Sequence, residues 1–333
     1  MPRRAILHIG HPKTATTFLQ HLMQLNSAAL GGAGFAIPSD YRAVGGHDFG
    51  QLASVGAVYS GNAAPFFFAL EAGRPLDRLD TYLEGGSHLL LSSELLFYRP
   101  TFVEQLASRL VAKEYRVEVI AYVDRYDRAA VKAYCQNIRN HAFAGTLVEF
   151  LEQTAGQRLL RYHEVHASLS ACAAIAEVEF RAFPSEFLNG GCIERDFFER
   201  LSPNLDAAAF IRPRDGVNST LSLAELEAVR CLNAEGNTAA VQRIIARERL
   251  VDDLERKRIR RCYFSQEAKD FLLRELSSDR DRFAALMPPE QVDLWRLDTL
   301  VVDPVEPDAV AVRQVLAAVA RVTATRPPTS RRG

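Results

Sequence analysis

The chain is poor in the features that staple, anchor or strongly charge a protein. It has five cysteines, Cys135, Cys172, Cys192, Cys231 and Cys262, an odd number with no C-x-x-C pair. Neither a disulfide framework nor a zinc site is expected, and reduced thiols in a cytoplasmic protein are. The eight histidines contain no H-E-x-x-H, so no metal is expected. Lys and Arg number 40 against 41 Asp and Glu, a formal net charge of −1. A general nucleic-acid binder carries a positive excess, so no nucleic-acid partner is expected and any anion affinity must be local. No uninterrupted apolar run reaches the roughly 18 residues of a membrane span. Met1-Pro2-Arg3-Arg4 resembles a charged leader start, but the apolar run behind it breaks at His8, Gly10 and His11. That run is too short and too polar for export, and the expectation is a chain without a leader. Asn218-Ser219-Thr220 then matches a glycosylation acceptor by accident. No internal repeat is present.

Enough apolar sequence remains for a large core: 48% of 333 residues are hydrophobic. Strand-like segments are read at 5–10, 34–37, 88–93, 117–123 and 177–183. The third and fourth are compact apolar runs, as when helices cover both faces of a sheet. Helical segments at 17–26, 101–113, 129–139 and 163–173 alternate with them. The alternation predicts a parallel α/β sheet with right-handed crossovers. Beyond residue 183 the chain reads as helices, at 221–233, 266–276 and 309–322. Val312, Val315, Leu316 and Val319 fall at helix spacing and imply a packed face. Ser222 with Glu225 makes a capping box. The basic run 256–261 reads as a solvated helix face or as a partner for a phosphate or acidic glycan. Phe66-Phe67-Phe68 either fills core or walls a cleft. Residues 326–333, rich in Pro, Ser and Arg, are expected to be disordered.

The most informative stretch is Ile6-Leu7-His8-Ile9-Gly10-His11-Pro12-Lys13-Thr14-Ala15-Thr16-Thr17-Phe18-Leu19-Gln20. An apolar strand ends at a glycine, a Pro-Lys-Thr turn follows, and a Thr-Thr pair opens an amphipathic helix. Such a junction aims free N–H groups and the positive end of a helix dipole at one spot. Lys13 and the hydroxyls of Thr14, Thr16 and Thr17 add a cation and donors, making a site for a phosphate or sulfate. The loop is shorter than a Walker A loop, which needs Gly, four residues, then Gly-Lys-Ser/Thr. It resembles instead the 5′-phosphosulfate loop P-K-T/S-G-T-T of sulfotransferases, and with its flanks Leu7-His8-Ile9-Gly10 and Phe18-Leu19-Gln20 it is similar to the bacterial version. The weaker part of the resemblance runs on through Glu179–Phe183, Gly190-Gly191-Cys192-Ile193, Asp196-Phe197-Phe198 and Asn218–Ser222, covering roughly residues 5–225.

Ligands of open α/β sheets bind at the carboxyl ends of the strands. The strand at 88–93 ends at Glu94, in Ser92-Ser93-Glu94, where the resemblance places a catalytic base. Partial desolvation there raises a carboxyl pKa and its value as a base. The alternative role is a Glu satisfying N–H groups at a helix start. His47, in Gly45-Gly46-His47-Asp48, is a second candidate base. His8 is expected to pack beside the strand, and His11 to donate to the anion. At the fourth strand end, sulfotransferases hold the donor's 3′-phosphate with an Arg and, eight residues on, a Ser. This chain departs from that pattern. One register puts Asp124 and Lys132 at those places; the other keeps Arg125 but puts Ala133 at the Ser. A carboxylate 4 Å from a phosphate is repelled by about 4 kcal/mol at an effective dielectric of 20. Asp124 must therefore turn away or be paired, and Arg125 and Lys132 are kept as 3′-phosphate contacts. Ala15 replaces the family's Gly, which is acceptable if its φ is negative, the reading taken here.

The resemblance thus implies a three-layer α/β sandwich around a mainly parallel sheet of about five strands. A single domain, 1–325, is expected, with a nucleotide-binding core at 1–185 and a helical, cleft-closing portion at 186–325. The implied activity is sulfuryl transfer from 3′-phosphoadenosine 5′-phosphosulfate to a hydroxyl or amine of a saccharide or small molecule. Its implied donor contacts are His11, Pro12, Lys13, Thr14, Ala15, Thr16, Thr17, Arg125 and Lys132. A non-catalytic relative with an altered donor site, or a P-loop kinase, are the rival readings.

Overall fold

The computed structural model describes residues 3–11, 13–38, 61–83, 87–154, 158–213, 221–246 and 253–324. His47, Pro12, Asn218-Ser219-Thr220 and the tail from residue 326 lie outside them. The chain divides into two compact units: 1–125 with 157–217 and 276–296, and 126–156 with 218–275 and 297–333.

The first unit is a three-layer α/β sandwich. Its five strands, β1 (Arg3–His8), β2 (Phe35–Ala36), β3 (His88–Ser92), β4 (Tyr115–Val123) and β5 (Glu177–Ala182), lie in the order β2-β3-β1-β4-β5. Every pairing is parallel. All carboxyl ends therefore share one edge, and the strand order reverses around β1, which puts the switch point where ligands bind such sheets at its end. Register aligns His8 with Ser92 on one side and with Ile120 on the other.

Alternation of side chains decides the layers. Ile6 of β1, Leu90 of β3 and Ile120 and Tyr122 of β4 face one way. They pack on Leu19, Leu22 and Met23 of the helix Thr16–Leu25 (α1) and on Ile193, Phe197 and Phe198 of the helix Ile193–Leu201. On the other face, the helix Pro100–Val111 packs against β4 and the helix Tyr162–Ser170 against β5. Tyr162, Phe283 and Trp295, all fully buried, stack edge to face there. Phe66 and Phe67 are buried on the helix Ala64–Glu71, where Phe67 meets Phe102 at 5.3 Å, so the cluster fills core.

Every element described in the second unit is helical. The capping box forms as read: Ser222 accepts from the Glu225 N–H and Glu225 from the Ser222 N–H, opening the helix Leu223–Ala234. The helix Ala309–Ala324 packs on it, with Val319 buried. The basic run lies on the helix Asp253–Tyr263 and is laced with acids: Arg260 meets buried Asp127 at 2.7 Å, Arg261 pairs with Asp303 and Arg258 with Glu255. Among the described residues, no helix is long and apolar enough to cross a membrane.

Candidate anion-binding site

The loop is built by the end of β1. Past His8 the chain still follows β4, the Ile9 N–H bonding the Ile120 carbonyl at 3.0 Å and the His11 N–H the Tyr122 carbonyl at 3.1 Å. It then turns sharply through two left-handed residues, Lys13 (φ 68°) and Ala15 (φ 58°, ψ 21°). Thr14, buried between them, folds back on His11, its N–H 3.3 Å and its hydroxyl 2.6 Å from the His11 carbonyl. Left-handed residues in such a turn aim neighbouring N–H groups at a common concavity, as in anion nests, while the Thr14 N–H itself is taken by the His11 carbonyl.

The helix behind the loop is left uncapped. Ala15 occupies the N-cap without a capping side chain, and the first turn of α1 holds no acid. The amides of Thr16, Thr17 and Phe18 have no partner within the helix, and no acid in its own first turn offsets the dipole's positive end. Lys13 is exposed at this end, and Thr17 is half-buried. Local positive potential is therefore concentrated where the overall charge is near zero.

Three details correct the sequence reading. Ala15 has positive φ, not the negative value expected, because the turn needs a second left-handed residue before α1. The Thr14 hydroxyl proton is committed to the His11 carbonyl and braces the loop rather than facing a ligand. The His11 ring is buried between Phe97 and Tyr162, and its Nε2–H donates to the Leu159 carbonyl at 2.8 Å, so it supplies no ring donor to an anion.

Glu94 sits beside this loop. Ser93 is tied to it by an N–H bond of 3.0 Å to the His8 carbonyl, and its side chain caps the Leu95 N–H of the 3-10 helix Glu94–Tyr98. The cap role that Glu94 might have filled thus belongs to Ser93. Burial pushes the Glu94 carboxyl above its usual 4.5, and the Lys13 charge pulls it part of the way back. Tyr98, one turn on, has its phenol pushed up by burial and then by the Glu94 charge. Glu94 is therefore an electrostatic neighbour of both Lys13 and Tyr98; Tyr98, four residues after Glu94, was missed in the sequence.

At the end of β4, Asp124 is buried and its carboxylate accepts the Arg125 N–H at 2.8 Å, ahead of the helix Tyr126–Asn140. Its carbonyl accepts the Tyr162 hydroxyl. Arg125 closes the first unit, and Lys132 lies on Tyr126–Asn140, in the second.

A buried polar cluster under the loop was also missed. His8 is fully buried, with Nδ1 2.9 Å from the Ser92 hydroxyl. Gln20 of α1 donates to the same hydroxyl at 3.2 Å. Asn62 supplies the hydrogen bonds that β3 lacks once β2 has ended, donating to the Leu90 carbonyl and accepting from the Ser92 N–H at 2.7 Å. The available signals were three polar residues at core-facing positions: His8 and Ser92 in register, and Gln20 one turn beyond Thr16.

No family model matches the chain, and no curated protein does.

Proposed function

We propose that the protein transfers a sulfuryl group from 3′-phosphoadenosine 5′-phosphosulfate to a hydroxyl or amine of a saccharide or other small molecule. The observation that carries this reading is the uncapped helix start behind a loop with two left-handed residues, with a carboxyl of raised pKa beside its lysine. The nest amides, Lys13 and the hydroxyls of Thr16 and Thr17 hold the 5′-phosphosulfate. Glu94 takes the acceptor's proton as the acceptor oxygen or nitrogen bonds to sulfur. The bond from sulfur to the 5′-phosphate oxygen breaks, and Lys13 stabilises the charge left on that oxygen. The products are the sulfated acceptor and adenosine 3′,5′-bisphosphate. Catalysis of this kind is positioning and electrostatics. Within the first unit, the 3′-phosphate is assigned to Arg125 on the resemblance alone. A cytoplasmic setting suits five cysteines that form no disulfide.

The second reading, a binding protein without catalysis, is favoured by Asp124 at the expected place of the 3′-phosphate arginine. Calorimetry with adenosine 3′,5′-bisphosphate tests both. Micromolar binding is expected in the parent chain, and at least tenfold weaker binding in Lys13→Ala. Glu94→Gln is expected to keep binding and to lose turnover by about 100-fold or more. Unchanged turnover in Glu94→Gln removes it as the base; binding without turnover on any acceptor supports the second reading; no binding removes both.

A further inference from the structure

The buried cluster under the loop has two atoms with nothing to bond, His8 Nε2 and Gln20 Oε1. His8 Nε2 is fully buried without a hydrogen-bond partner. Its surroundings say what it is for. A Cβ built on Gly10 would stand 2.8 Å from His8 Nε2 and 3.1 Å from Thr16 Oγ1. The imidazole edge and the threonine hydroxyl therefore both border the space that a side chain at position 10 would fill.

The Ser92 hydroxyl accepts from Gln20 and is able to give its own proton to His8 Nδ1, the arrangement in which the imidazole carries its single proton on Nε2. Burial pushes the His8 pKa down to about 3, so the ring stays neutral with that one N–H at any working pH. A buried N–H without an acceptor is costly, and a partner that reaches it relieves that cost. Beside the same space, Thr16 Oγ1 makes a bond to the His11 carbonyl of 3.5 Å, at the limit of such contacts and easily exchanged.

We propose that His8 is a positioning residue of the loop: when an oxyanion occupies the nest, the His8 Nε2–H donates to the Thr16 hydroxyl, whose proton turns from the His11 carbonyl to a ligand oxygen. The chain Gln20–Ser92–His8–Thr16 then connects the body of α1 and the end of β3 to the bound group, and Gly10 is glycine so that the last link can close. This rests on the oxyanion-loop reading of the site and adds to it the residue that orients one of its donors.

The test joins a double-mutant cycle to a spectroscopic signature. With adenosine 3′,5′-bisphosphate as probe, His8→Leu and Thr16→Val are each expected to bind about tenfold more weakly, and the double variant no more weakly than either single one, because both remove the same link. His8→Gln, which keeps an N–H donor, is expected to bind within about threefold of the parent. In the parent chain, imidazole nitrogen NMR is expected to show the His8 proton on Nε2, with its resonance shifting on addition of the nucleotide. Binding by the parent with a multiplicative loss of about 100-fold in the double variant overturns this inference alone. A proton on Nδ1 overturns it too. Should His8→Leu fail to fold, the tautomer and the nucleotide-induced shift decide. Absence of binding by the parent chain overturns the functional reading and this inference together.

Discussion

Among single residues, Ala15 decides most about the loop. Its φ of 58° lies where a Cβ crowds the following carbonyl, at a cost of roughly 1–2 kcal/mol that glycine does not meet. Lys13 shares that conformation at φ 68°, but its side chain supplies the cation. Ala15 caps nothing, and its methyl offers only a partly buried contact with the core in return. Part of the gain on changing it to glycine is lost because glycine is freer in the unfolded chain. The net expectation is that Ala15→Gly stabilises the protein by about 0.5–1 kcal/mol, read from urea unfolding midpoints at constant slope. Ala15→Val should lose stability, because β-branching makes left-handed backbone harder still. A destabilised Ala15→Gly would show that the loop is not left-handed at this position in solution.

At the level of elements, much was legible because the physics is local. The apolar runs at 88–93 and 117–123 became β3 and β4 with ends within two residues of those read, since a strand covered on both faces declares itself by continuous hydrophobicity. The sheet is parallel throughout, as the alternation of strands and helices implied. The strand-to-helix junction and Glu94 at a strand end were likewise visible, as was a buried His8. What stayed hidden depends on contacts between distant residues. The handedness of Ala15 is imposed by the turn and not by alanine, and the ties of His11 to Leu159 and of Ser92 to His8 join residues 148 and 84 positions apart. The capping box was legible because both partners lie within one turn, and its worth can be measured. Ser222→Ala is expected to cost about 1 kcal/mol, and Ser222→Gly only a few tenths, because a flexible backbone lets water solvate the freed amides. Equal losses in the two variants, compared in the same denaturant series, would mean that the Ser222 side chain does not cap Leu223–Ala234.

Over the whole molecule, the buried titratable groups contribute to the dependence of stability on pH, and His8 acts on its acid side. Its folded pKa of about 3 lies below the ordinary 6.5, so the unfolded chain binds the proton more readily. The corresponding stability is fully present above about pH 6.5 and is lost as pH falls toward 3. At 1.36 kcal/mol per pH unit, the loss reaches about 2.5 kcal/mol by pH 4.5. Burial lowers His21, His88 and His166 as well, so they act with the same sign. Glu94 and Asp279 act oppositely. Their carboxyls are raised by burial, so the folded state gains relative stability as pH falls through the range above their usual 4.5 and 3.8. Asp196 and Glu118, lowered by their arginine and tyrosine partners, contribute stability that disappears only below those values. A single melting curve sums all of these, so the informative quantity is the stability gap between the parent chain and His8→Gln at each pH. Gln does not titrate, and every other group cancels in the difference. The gap is expected to favour the parent most at pH 8 and to narrow by about 2.5 kcal/mol by pH 4.5, following one proton. A gap that holds constant from pH 8 to pH 4.5 would mean that His8 is not buried as a neutral imidazole.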